Sequence, residues 1–183
     1  MIAAAVENMI AFYKGNLHDI AHFLKVWALA KTIGEAERLD ARTQETLELA
    51  AVVHDIACPL CREKYGNTDG KHQEQESAPL VEAFFAEPPF AGADVARIVH
   101  LVTHHHTYVS VDGLDYQILL EADFLVNAGE SGFSLAAIQK AKECIFRTAA
   151  GTRLLCNMYL GADARTAGTR AGFLSSPCGS CRG

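Results

Sequence analysis

Apolar positions recur along this chain at helical intervals almost from its first residue. Over Met1 to Tyr13, the side chains of Ile2, Val6, Met9, Ile10 and Tyr13 fall three or four positions apart, and Gly15-Asn16 supplies a stop. The next helix starts with Asp19 as its cap. In it Ile20, Phe23, Val26, Trp27, Ala30 and Ile33 fill an apolar arc wide enough for a central position. A third runs from about Thr43 to Ile56, with Leu47, Ala50, Ala51 and His54 on one stripe, and Pro59 forbids its continuation. Residues 61–71 read as a polar loop. Residues 72–86 read as helix, with Pro79 either opening it behind a Ser77 cap or kinking it. Val95, Ile98, Val99 and Val102 mark another helix that runs into His104, His105 and His106. Ile118, Ala122 and Leu125 mark one more, and Leu135 to Leu160 supply one or two. Only Thr107 to Val111 alternates weakly with a strand's period, so the class is all-α.

With 183 residues, half of them hydrophobic, the chain reads as a single domain over residues 1–160 with a substantial core. From residue 161 the composition shifts to Gly, Ala, Ser, Thr and Arg, and 161–183 is expected to be a flexible tail. The 16 Lys+Arg against 22 Asp+Glu leave a formal charge of -6 and no basic block, which disfavours general nucleic-acid binding. The first residues lack a positive leader and carry Glu7, and no uncharged apolar run is long enough for a membrane span. A cytoplasmic protein with reduced thiols is the expectation.

Two CxxC pairs, Cys58-Cys61 and Cys178-Cys181, have spacing suited to zinc or redox chemistry. Their wide separation and the lack of a βαβ context favour reduced thiols, with Cys144 and Cys156 in the core. The amphipathic first helix leaves a homo-oligomer open.

Chemistry enters with polar side chains on apolar stripes. His22 shares a row with Val26, Leu29 and Ile33. His54 and Asp55 end the third helix, and Asp123 lies among Leu, Ile and Val. A buried imidazole or carboxylate needs a partner. One such residue finds a carbonyl or hydroxyl; four spread over three core helices can meet at a metal, where nitrogen and oxygen ligands suit Mn, Fe, Co, Ni or Zn alike.

The ordered set His22, then His54-Asp55 in "LAAVVHDIA", then Asp123 in "EADFL" resembles the H…HD…D signature of the HD-domain metal-dependent phosphohydrolase superfamily, over roughly residues 16–130. The resemblance implies an all-α HD-domain helical bundle that holds one or two divalent transition metal ions between its helices. His22, His54, Asp55 and Asp123 are the implied ligands. Two-metal branches add histidines between the doublet and the last Asp, which makes His72 and either His104 or His105 candidates. Periodicity favours His105, whereas the family pattern aligns equally with His104. His106, beside Tyr108, is assigned to the pocket mouth as a substrate contact; His100 is a surface or packing residue and His18 a helix-start residue.

The implied reaction is hydrolysis of a small phosphate ester, with a nucleotide the default, by a metal-bound hydroxide with Asp55 as catalytic residue. Arg62, Lys64 and Lys71 are candidate cations for the phosphoryl oxygens, and Arg147 and Arg153 weaker ones. Two other readings share the ligands: a di-iron oxygenase resembling myo-inositol oxygenase, and an inactive nucleotide or metal sensor.

Overall fold

A computed structural model describes residues 1–86 and 88–161, and these form nine α-helices followed by one π-helical turn, Cys156–Leu160, with no strand among the described residues. The helices are α1 (Ile2–Phe12), α2 (Leu17–Ala36), α3 (Ala41–Val53), α4 (Cys58–Tyr65), α5 (Gly70–Phe85), α6 (Val95–Val102), α7 (Leu114–Glu130), α8 (Leu135–Cys144) and α9 (Ala149–Leu155). The fold is the all-α one that the apolar periodicity predicts. The expected tail and the Cys178-Cys181 pair lie outside the described residues.

The long α2 packs between α3 and α7; α1 and α6 flank α3, and α5 lies on α6. Phe23, Val26, Ala30 and Ile33 of α2 meet Leu47, Ala50, Ala51 of α3 and Ile118, Leu119 and Leu125 of α7 in one fully buried core. Burial of each large apolar side chain stabilises the fold by about 1.5–3 kcal/mol. α7 is buried along most of its length, from Asp115 to Val126, polar residues included. Thus His22 of α2, His54 and Asp55 at the end of α3 and Asp123 of α7 face one interior.

Several local expectations change. Asn16, not Asp19, caps α2, its side chain accepting from the Asp19 amide, while Asp19 sits in the first turn. Pro59 ends α3's reach but opens α4, because its missing N–H falls where a first turn has no intrahelical acceptor. Most of the expected polar loop is therefore helix, stopped by Gly66 at φ 72°. α5 starts at an Asp69 cap and continues through Pro79. The ring lies on the exposed face, while Gln73, Ser77, Val81 and Phe85, four apart, bury the opposite stripe, and the Ser77 hydroxyl donates to the Gln73 carbonyl. No helix among the described residues is long and apolar enough to cross a membrane.

Candidate metal centre

His22 lies in the second turn of α2, His54 and Asp55 in the turn that closes α3, His105 in the turn after α6, and Asp123 in the middle of α7. Their polar atoms converge. His22 Nε2 is 3.2 Å from His54 Nε2, 3.4 Å from Asp123 Oδ1 and 3.5 Å from Asp55 Oδ2. His54 Nε2 stands 3.6 Å from Asp123 Oδ1, and His105 Nε2 is 3.5 Å from Asp55 Oδ1. The Tyr13 hydroxyl donates to the Asp55 carbonyl at 3.0 Å, pinning the doublet's backbone from α1's end.

The outward ring nitrogens fix the chemistry of the inward ones. His54 Nδ1 donates to the Ala51 carbonyl at 2.9 Å and His105 Nδ1 to the Val102 carbonyl at 2.7 Å. His22 Nδ1 donates to the Glu130 carboxylate at 2.8 Å, and Glu130 in turn takes the Lys25 ammonium at 2.9 Å. In a neutral imidazole a proton on Nδ1 leaves Nε2 as a lone pair. Three such lone pairs and two carboxylates then face one another, and His105 Nε2 is buried with no hydrogen-bond partner. A set of converging acceptors is stabilised only by a positive charge placed among them. The donor set, imidazole nitrogen with carboxylate oxygen and a bonded outer nitrogen on each ring, fits a divalent transition metal.

Without a metal, protons serve that purpose in part. Burial alone would push His22 down, but Asp123, Asp55 and Glu130 outweigh it and lift its pKa to about 9. Burial opposes ionisation of Asp55 and Asp123 as well, yet the surrounding imidazoles hold both far below the usual carboxylate range. Both carboxylates are thus ready-made anions.

Two ligand groups emerge side by side. His22, His54 and Asp123 form one, and Asp55, His105 and His106 form the other, with ligand atoms mutually within 4.8 Å in each. His106 was expected only at the pocket mouth; its ring lies 3.9 Å from that of His105, and burial, then His105, drops its pKa to about 4. An imidazole that stays neutral over the ordinary pH range remains available as a ligand.

His72 and His104 lie elsewhere. His72 stacks on Tyr65 at 3.9 Å, because the first turn of α5 turns it toward α4. His104 points back along α6, its Nδ1 donating to the His100 carbonyl at 2.8 Å. α6 ends at Val102, Thr103 caps it with αR backbone, and two residues further on His105 faces Asp55. His100 pairs with Asp112. Lys64 is paired with Glu76, and Lys71 is exposed beyond the cavity. Arg147 donates to the carbonyls of Glu143, Cys144 and Phe146. Arg62 does line the cavity beside the centre, bound to Asp19 by two bonds of 2.7 and 2.8 Å. Cys58 lines it too; neither it nor the buried Cys61 is in a disulfide, and burial raises both thiol pKa values.

Sequence reasoning missed Glu130 and Asn127. Asn127 donates to Asp123 Oδ1 at 2.8 Å. With Asp123 they stand at i, i+4 and i+7 on α7, one face over two turns, and that spacing was the signal available.

Fold and centre together define an all-α protein with a buried His/Asp site suited to a divalent metal. The HD-domain family model matches residues 19–130, well over half of the chain, and the chain belongs to that family. The HD superfamily consists mostly of metal-dependent phosphohydrolases. No curated protein and no solved structure matches the chain.

Proposed function

We propose that the chain is a metal-dependent phosphohydrolase acting on a small phosphate ester. The carrying observation is the convergence of His22, His54, Asp55, His105 and Asp123 acceptors, with His105 Nε2 buried and without a hydrogen-bond partner. His22, His54, Asp55 and Asp123 would hold one cation, and Asp55, His105 and His106 a second. A divalent cation held there supplies Lewis acidity toward a phosphoryl oxygen and acidifies water.

The chain's own side chains do the rest. Asp55, partly open to the cavity, stays ionised and orients the attacking water through its carboxylate oxygens. Arg62 lines the cavity and has N–H groups beyond the two that Asp19 occupies, which supports a role in meeting the charge on the phosphoryl oxygens. Asp19 holds the guanidinium in place, so its orientation is set before the ester arrives.

The test is metal content of untagged, chelator-free protein together with phosphate release from p-nitrophenyl phosphate. One or two equivalents of Mn, Fe, Co, Ni or Zn, with release that stops on chelation, is the expected result. Iron with O2-dependent absorbance and no phosphate release would move the chain to an oxygenase. No metal after reconstitution would remove the enzymatic reading.

A further inference from the structure

We infer, resting on the hydrolase reading, that the ester is the phosphate of an apolar alcohol, and that its alkyl group lies in the apolar cavity adjoining the metal centre at Glu130. The polar cavity beside the ligands encloses about 280 Å³. That is small for a whole ligand, since pockets that hold one measure roughly 300–1,000 Å³ and are mainly apolar. A second cavity, of about 500 Å³, is lined by Lys25, Ala28, Leu29, Leu125, Met158 and Tyr159, and Glu130 lines both.

The same two helices wall both cavities. His18, His22, Lys25 and Leu29 stand four, three and four residues apart on α2, one face over three turns; the first two line the polar cavity and the last two the apolar one. On α7, Asp123 and Asn127 line the polar cavity and Val126 and Gly129 the apolar one. The border is the Lys25 ammonium on Glu130 Oε1 at 2.9 Å, while Glu130 Oε2 accepts from His22 Nδ1 at 2.8 Å. At 1.5 Å per residue Leu29 lies about 10 Å along α2 from His22, a span that a medium-length alkyl chain covers. The two charges at the border are paired with each other, and the Tyr159 hydroxyl donates to the Leu125 carbonyl at 2.6 Å. A polar group laid against Leu29, Leu125 and Met158 gives up water for little in return, whereas an alkyl group gains with every methylene covered. Met158 is 47% exposed, apolar surface that such a chain would cover.

The experiment compares octyl phosphate, below its micelle concentration, with ethyl phosphate and adenosine monophosphate on the metal-loaded full chain, in kcat/KM and in Kd by calorimetry. The expected result is a preference of roughly tenfold or more for octyl over ethyl phosphate. It should shrink in Met158→Gln, which makes the wall polar, and in Ala28→Trp, which fills the groove, with the constants for ethyl phosphate unchanged. Both positions are exposed, so the variants should fold, and metal content and Tm report whether they do. Equal constants for the two alkyl esters, preference for adenosine monophosphate, or an octyl preference that survives both variants would overturn the inference. The Kd comparison separates the two readings: tighter binding of octyl phosphate with no release from any ester upholds the apolar subsite while removing the hydrolase, and equal release from both alkyl esters does the reverse.

Discussion

Glu121 and Asp123 stand two residues apart on α7, both buried, and their surroundings are opposites. Glu121 Oε1 accepts from Gln117 Nε2 at 2.8 Å, the Arg147 amide at 2.6 Å and the Thr148 amide at 2.9 Å, and Oε2 accepts from the Thr148 hydroxyl. Asp123 has one protein donor, Asn127, and otherwise faces the Nε2 atoms of His22 and His54. Two residues turn a helix by about 200°, so the two carboxylates point to opposite sides. One joins α7 to the start of α9 through four hydrogen bonds; the other enters a cluster of acceptors. Burial of a carboxylate is therefore no functional signal by itself. The chemistry of its neighbours is what separates a structural anchor from a ligand.

The largest effects should fall on the acceptor side. Asp55→Ala is expected to lose bound metal and to lower turnover by at least roughly 10³-fold, the scale of removing a group that handles developing charge. Elemental analysis and phosphate release would show it, and an Asp55→Ala protein that keeps both would erase the contrast.

Glu121→Ala should do the reverse. It strands the buried Thr148 amide and the part-buried Arg147 amide, so unfolding free energy falls by about 2–4 kcal/mol while metal content per folded chain is unchanged. Denaturant unfolding beside metal analysis would reveal whether the two clusters are as separate as their bonds imply.

Glu130→Gln sharpens the comparison from the metal's own surroundings. Glu130 holds His22 Nδ1, and burial's resistance to its charge is outweighed by His22 and Lys25, which keep the carboxylate below its usual pKa. Replacing that anion by a neutral acceptor is expected to weaken metal affinity about 10- to 100-fold with the fold intact. Chelator competition measures it, and an unchanged affinity would reduce Glu130 to a surface ion pair with Lys25.

The smallest effect is confined to metal-free protein and follows pH. His22 has its pKa raised from 6.5 to about 9 in the folded chain. A raised folded pKa means the native state holds the proton more tightly, so this stabilisation is complete below about pH 6.5 and is lost as pH rises through about 9. Tm of the stripped protein should decline over that window, and added metal should abolish the decline because the cation replaces the proton.

Much of the fold was legible because helical periodicity is a local property. The apolar rows of α1, α2, α3, α6 and α7 declare those elements, and an imidazole on such a row announces a buried polar group. Proline was less legible. Pro59 reads equally as the end of one helix or the start of another, and Pro79 is accommodated only because a buried stripe on the opposite face of α5 holds the helix together. The histidine run shows the same limit. His104, His105 and His106 are chemically identical in sequence; only the folded turn after α6 shows the first bonded back to the His100 carbonyl and the next two grouped with Asp55.

By itself the sequence determined an all-α chain and a set of histidines and aspartates that belong in an interior, since periodicity and the cost of burying polar groups are written along a single strand of residues. The tertiary structure alone decided which of them meet. The distance from His22 to Asp123, and the turn of Glu130 onto His22, depend on how α2, α3, α6 and α7 pack. Packing is set by side chains far apart in the chain, so no local pattern records it.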